Sequence, residues 1–103
     1  MAYVKVAAVE DVSPGQMKRV EIEDEPIALY HTGDGQWFAT SDVCTHAGES
    51  LTSGTLESCV VACPQHGGKF DVRSGAAVAM PCVVAVETYP VEIRGGDVFL
   101  DFE

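Results

Sequence analysis

Four residues near the middle of the chain have the types and spacing of a metal-ligand set. Cys44 and His46 form a Cys-x-His pair, and after sixteen intervening residues Cys63 and His66 form a Cys-x-x-His pair. Each pair places two donors on one tight turn, so both donors can reach the same small metal centre. Thiolate and neutral imidazole suit zinc or an iron–sulfur cluster, whereas magnesium and calcium prefer oxygen ligands.

The order of the ligands favours a cluster over zinc. A Cys2His2 zinc finger usually supplies two cysteines first and two histidines later, from a helix, whereas each pair here mixes one cysteine with one histidine. Glycine follows each pair closely, at Gly48 and at Gly67 and Gly68. Glycine allows backbone amides to approach and hydrogen-bond the sulfides of a cluster. Zinc remains the alternative at this point.

Beyond the ligands, much of the chain resembles the Rieske-type ferredoxins. The ligand pattern matches the two cysteines and two histidines of a Rieske centre. Further resemblance lies in residues 36–40 (QWFAT), 66–71 (HGGKFD) and 89–91 (YPV). The resemblance is strongest to the ferredoxins that serve bacterial aromatic-ring-hydroxylating dioxygenases.

The resemblance implies a specific ligation. Cys44 and Cys63 would bind one iron ion, and His46 and His66 would bind the second, outer iron. The implied cofactor is one Rieske-type 2Fe–2S cluster, and the resemblance implies no catalytic residue. The oxidised centre would carry no net charge, and reduction would add one negative charge.

The role implied by the resemblance is that of a soluble one-electron carrier rather than an enzyme. It would shuttle electrons from a flavin-dependent ferredoxin reductase to a terminal aromatic-ring-hydroxylating oxygenase, as a monomer in the cytoplasm. Two alternatives stay open: a Rieske-like accessory subunit of a nitrite-reductase-type enzyme, and a zinc-stabilised interaction module. The chain is too short for the large mononuclear-iron domain that the catalytic oxygenase subunits add.

Two features of the respiratory Rieske proteins are missing from this sequence. Their second cysteine pair forms a disulfide, but the corresponding positions here are Glu49 and Gln65. Their serine and tyrosine hydroxyls near the cluster correspond to Gly68 and Phe70. Because hydrogen bonds to sulfur favour the reduced state, their absence predicts a low reduction potential.

Several other residues are given structural interpretations. Cys59 and Cys82 are interpreted as small, partly buried thiols. The lone His31, at the end of a predicted strand, is interpreted as a surface or turn residue and not as a ligand. Met80 and Pro81 resemble the proline loop that covers a third side of the cluster in Rieske proteins.

The composition predicts one acidic globular domain. The chain has 103 residues, of which six are basic and sixteen acidic, for a net charge of −10, and this length suits a single domain with a modest core. Such a surface disfavours nucleic acid and anionic membranes and favours a basic protein partner. We find neither an apolar run of about 18 residues nor a signal-peptide pattern, so we expect no membrane association.

Short strand patterns between closely spaced turns predict an all-β fold. The predicted strands cover residues 3–9, 17–22, 26–30, 36–40, 60–62, 69–72, 76–79, 83–89, 91–93 and 98–102, and residues 50–58 hold at most one helical turn. Together with the resemblance, they predict a Rieske-like β-sandwich of antiparallel sheets. It would be a single domain over residues 1–103. A cluster-binding subdomain at about residues 41–83 would be inserted between base sheets from residues 1–40 and 84–103.

Overall fold

The computed structural model describes residues 3–45, 48–64, 67–80 and 82–102. Within them the chain forms eleven short strands, joined by turns and by two single-turn 3-10 helices at Val9–Asp11 and Leu51–Ser53. The strands are β1 Tyr3–Ala8, β2 Gln16–Ile22, β3 Glu25–His31, β4 Trp37–Ser41, β5 Thr55–Glu57, β6 Val60–Ala62, β7 Lys69–Asp71, β8 Ala77–Ala79, β9 Thr88–Tyr89, β10 Val91–Arg94 and β11 Asp97–Asp101. Neither helix is long or apolar enough to cross a membrane, as far as the described residues go.

The strands assemble into three sheets in which every pairing is antiparallel. The first sheet has the order β1-β11-β10, the second β2-β3-β4-β9 and the third β5-β6-β7-β8. The all-β, antiparallel prediction is therefore confirmed. The third sheet falls inside residues 41–83, but the division into a base and a cluster-binding subdomain stays a prediction.

Strand β3 lies between two hydrophobic cores. Since successive side chains of a strand point to opposite faces, Ile27 and Leu29 pack into one core, and Ala28 and Tyr30 pack into the other. All four side chains are fully buried. The nearly continuous apolar run in this strand thus connects the first sheet to the region that contains the candidate ligands.

The core on the ligand side is built mainly from the third sheet and the segments around it. Its members are Ala28, Tyr30, Cys44, Leu51, Val61, Cys63, Phe70, Val72, Cys82 and Val86. Three of the four cysteines are therefore core residues. The buried Tyr30 hydroxyl is paired with Thr40 Oγ1 at 2.9 Å, which satisfies both hydroxyls.

Two strand predictions need correction. Residues 83–89 were expected to form a strand, but only Thr88–Tyr89 does so, and Val83 and Val84 are exposed. Strand β5 at Thr55–Glu57, which pairs with β6, was not predicted. The helical turn expected within residues 50–58 is present at Leu51–Ser53.

Candidate metal centre

Cys44 and Cys63 each open a loop of the same span. Cys44 lies in the loop after β4 and Cys63 comes directly after β6. The backbone N–H of each cysteine donates to the carbonyl oxygen of the fifth residue after it: Cys44 to Glu49 at 2.9 Å, and Cys63 to Gly68 at 2.7 Å. The two loops are thus closed in the same way, and each begins with one cysteine of the same hydrophobic core.

The same position in each loop has a left-handed backbone. Gly48 and Gly67, each four residues after the loop's cysteine, have φ values of +73° and +72°. A residue with a Cβ is strained in this region, so glycine is the natural choice at both positions. Gly48 and Gly67 are thus explained by the turns that close the loops.

Both cysteine side chains are buried at the base of these loops. Cys44 is 1% exposed and Cys63 is 2% exposed. All four cysteines belong to the described residues, and none forms a disulfide. The other two predicted ligands, His46 and His66, lie outside the described residues, as do Gln65 and Pro81. The structure thus describes half of the predicted ligand set, namely Cys44 and Cys63. Among the described residues, no group of three or more potential ligands is arranged around one point.

The carboxylate of Asp42 fixes the first loop to the rest of the fold. Asp42 is 1% exposed and accepts hydrogen bonds from Ser50 Oγ at 2.5 Å and from Thr52 N at 2.9 Å. Arg19 on β2 approaches it, with 3.7 Å from Nε to the carboxylate. The Asp42 backbone N–H also donates to Pro26 O at the start of β3. These bonds hold the two ends of the loop together and against the second sheet.

A third segment, whose described residues are 80 and 82–87, contacts the first loop and the turn between β7 and β8. Thr45 Oγ1 of the first loop donates to Val84 O at 2.7 Å, and Val86 N donates to Gly75 O at 2.8 Å. Met80 at the start of the segment is 75% exposed. The covering role that the resemblance implies for Met80 and Pro81 stays a prediction.

Cys82, in this third segment, has an unexpected position. It is 3% exposed and its Sγ lies 3.9 Å from Cys44 Sγ. Burial, the hydrogen bond with Cys44 and the nearby Cys44 and Cys63 thiols raise the pKa of the Cys82 thiol to about 11. The interpretation of Cys82 as an ordinary partly buried thiol missed this contact, since sequence spacing does not reveal that residue 82 returns to the loop at residue 44. Cys59 is half-buried, as expected.

His31 corrects another interpretation. It is only 8% exposed, its Nδ1 lies 2.7 Å from Val12 O, and its ring stacks on Trp37 with centroids 4.0 Å apart. A strand-end histidine was expected at the surface, but the adjacent aromatic ring and a backbone carbonyl make burial favourable. This environment explains His31 as part of the fold.

The described part of the centre fits an iron–sulfur cluster. The two thiols are buried in the same core, at the base of loops whose turns contain glycine. A thiolate is a soft ligand that suits iron–sulfur chemistry, and burial limits the access of water to it. An iron–sulfur cluster held by cysteine thiolates is redox-active, so such a centre could exchange electrons.

Comparison with known proteins agrees with this chemistry. Residues 2–90 match the model of the Rieske [2Fe-2S] domain. The ferredoxin component of biphenyl 2,3-dioxygenase from Rhodococcus jostii strain RHA1 is 44% identical over 103 residues, which are 100% of this chain and 95% of that protein.

Solved structures show the same similarity. A chain in the complex of reduced oxygenase and oxidized ferredoxin in carbazole 1,9a-dioxygenase superimposes with a TM-score of 0.91 and 41% identity, covering 98% of this chain and 94% of that one. The ferredoxin of Sphingomonas yanoikuyae B1 gives a TM-score of 0.92 and 37% identity, covering 99% of this chain and 100% of that one. The similarity to these ferredoxins in sequence and in fold therefore extends over nearly the full length of this chain.

Proposed function

Because this chain belongs to the Rieske [2Fe-2S] domain family and is an electron carrier, we propose that it delivers single electrons to the terminal oxygenase of an aromatic-ring-hydroxylating system. The donor in this proposal is a flavin-dependent ferredoxin reductase. The full-length identity of 44% to a dioxygenase ferredoxin component is the observation that carries the proposal. The solved complex that contains a ferredoxin and an oxygenase supports the choice of acceptor.

The ligands in this proposal are Cys44, His46, Cys63 and His66. When bound, a 2Fe–2S cluster supplies a one-electron couple. The chain's own part is to hold it: the matched loops present Cys44 and Cys63 from a buried base. Asp42 keeps the first loop in place through Ser50 Oγ and Thr52 N.

The acceptor would dock on the surface around the loops. Around His46 and His66, the proposed rim consists of Gly48, Glu49, Gln65, Met80 and Pro81, of which Gln65 and Pro81 lie outside the described residues. Of the described residues here, the exposed apolar side chains are Val43 at 42%, Val78 at 53%, Met80 at 75%, Val83 at 70% and Val84 at 60%. Apolar side chains exposed together on a small protein indicate a contact surface.

The protein would work as a monomer in the cytoplasm. None of its four cysteines forms a disulfide, which is typical of a reducing compartment. A carrier that must meet two partners in turn through one surface benefits from remaining small and unattached.

Reconstitution tests the proposal. Purified chain, a flavin-dependent reductase and a terminal oxygenase encoded beside it are mixed with NAD(P)H and an aromatic substrate of that oxygenase, and hydroxylated product is measured. Product should require all three proteins and rise with the concentration of this chain. A reaction that proceeds equally well when the chain is omitted would argue against the proposal.

The cofactor itself is tested separately. The purified chain should contain about two irons and two acid-labile sulfides, with a Rieske-type EPR signal after reduction. Stoichiometric zinc without iron after anaerobic purification would instead favour the zinc-stabilised module.

A further inference from the structure

Cys82 is a buried thiol in contact with a proposed ligand. Its Sγ lies 3.9 Å from Cys44 Sγ, within hydrogen-bonding range for two sulfur atoms, and the residue is 3% exposed. Its backbone N–H donates to Ala79 O at 3.1 Å, so the segment that places it is itself held. The contact therefore belongs to the packed structure and not to a chance surface encounter.

Gly68 leaves room for this thiol. A Cβ built on Gly68 would overlap Cys82 Sγ and lie 3.1 Å from Cys82 N. The backbone of Gly68 is not in the left-handed region, so its conformation does not demand glycine. Glycine is required at position 68 because Cys82 fills the space that a side chain would need. The two residues are therefore complementary in size.

The direction of the hydrogen bond follows from the chemistry of the ligand. A cysteine that binds iron does so as a thiolate and has no proton to donate. Cys82, the member of the pair that is not a proposed ligand, retains its S–H and can be a donor. A hydrogen bond to a ligand sulfur stabilises the more electron-rich, reduced state of a cluster.

We propose that the Cys82 thiol donates a hydrogen bond to Cys44 Sγ and thereby raises the reduction potential of this carrier. The inference rests on the proposed ligand role of Cys44. Cys82 is then a positioning residue for electron transfer: it binds no iron, but sets how readily the centre is reduced. An S–H group is a weak donor, so its effect is smaller than that of a hydroxyl.

Redox titration of two variants distinguishes a donor from a packing residue. Cys82→Ala removes the donor and should shift the midpoint potential to a lower value, whereas Cys82→Ser keeps a donor and should stay near the wild type or shift higher. Cys59→Ala, at the half-buried cysteine, serves as the control and should leave the potential unchanged. Equal shifts in Cys82→Ala and Cys82→Ser would overturn the proposal, as would no shift in Cys82→Ala with full iron content.

Resonance Raman spectra of the unmodified protein and of Cys82→Ala provide a second test with a different readout. Exchange from H2O to D2O should shift an iron–cysteine stretching band, and this shift should be smaller in Cys82→Ala. No deuterium-sensitive band in the unmodified protein would overturn the proposal.

The complementarity of Cys82 and Gly68 can be tested by comparing a single variant with a double variant. Gly68→Ala alone should lower the iron content, because its Cβ meets Cys82 Sγ, and Gly68→Ala combined with Cys82→Ala should recover it. Full iron content in Gly68→Ala alone would contradict the packing on which the inference depends. A different result, retention of iron in Cys44→Ala, would show that the ligand assignment itself is wrong.

Discussion

Two cysteines on either side of one short strand differ in environment, and only one of them is a proposed ligand. Cys59 precedes β6 and is half-buried, whereas Cys63 follows β6, is 2% exposed and opens a loop closed by its own N–H. We expect Cys63→Ala to lose the cluster, because it removes one of the two proposed thiolate ligands. Cys59→Ala should keep it.

Iron and labile-sulfide analysis of the two purified variants makes this comparison. The unmodified protein and Cys59→Ala should each contain about two irons per chain. A full complement of iron in Cys63→Ala would show that the ligand set is wrong.

The buried His31 stabilises the fold, and its replacement should not affect metal binding. His31→Ala removes both the bond to Val12 O and the stacking on Trp37. We expect the free energy of unfolding to fall by about 1–3 kcal/mol, with the iron content unchanged. His31→Phe keeps an aromatic ring and should restore part of the loss. Denaturant unfolding followed by circular dichroism measures both variants, and loss of iron in folded His31→Ala would implicate the residue in metal binding.

The reduction potential is set by the side chains beside the ligands. Gly68 has no side chain, Phe70 has no hydroxyl, and the buried Tyr30 hydroxyl is already paired with Thr40. With few donors to the sulfurs, we expect a midpoint potential below about +100 mV, in the lower part of the span of about −150 to +300 mV for Rieske centres. Redox titration followed by circular dichroism measures it. A higher value would mean that stronger donors reach the cluster.

Among the structural elements, the first loop depends on a single buried carboxylate. Asp42→Asn replaces one accepting oxygen with an NH2 group that cannot accept from Ser50 Oγ or Thr52 N, and it removes the charge that faces Arg19. We expect the variant to lose about 1–3 kcal/mol of stability and to release iron faster on warming. Glu57→Gln, an exposed acid on β5, is the matched control. Equal rates of iron release in both variants would argue against this anchoring role.

The sequence predicts most of the sheet structure because its turns carry local signals. The hairpins at residues 33–35, 73–75 and 95–96 contain glycines with positive φ, as the turns require. The turn between β2 and β3 has no such signal: Glu23 and Asp24 take φ values of +51° and +68° without glycine. Local sequence therefore does not indicate a tight turn at this position.

Contacts between distant segments could not be predicted. The valines at residues 83 and 84 suggest a strand, but they are exposed at the surface near the loops, so their apolar character does not reflect a core. The approach of Cys82 to Cys44 and of Arg19 to Asp42 likewise joins residues far apart in the chain. The four ligand candidates, in contrast, were identifiable because each pair is local.

At the scale of the whole molecule, most of the charge lies away from the proposed contact surface. The chain carries a net charge of −10, yet the described residues of the segments 43–49, 63–69 and 78–84 include only Glu49 and Lys69 as charged side chains. Acidic residues concentrate elsewhere, for example at Glu21, Glu23, Asp24 and Glu25 around the β2–β3 turn. Long-range charge can therefore steer the protein toward a basic partner, while a nearly neutral surface makes the close contact.

Two measurements with the oxygenase should separate these roles. The second-order rate of electron transfer should fall as salt rises, because screening weakens steering between surfaces of opposite charge. Val83→Glu places a charge in the proposed apolar contact surface. At the same salt concentration it should transfer electrons more slowly than the unmodified protein, without a change in the visible spectrum of the cluster. Val4→Glu on β1 adds the same charge at another exposed valine, in the first sheet, and should have little effect. If Val4→Glu slowed transfer as much as Val83→Glu, the partner would not dock at the loops, since the loss would not depend on where the charge is placed.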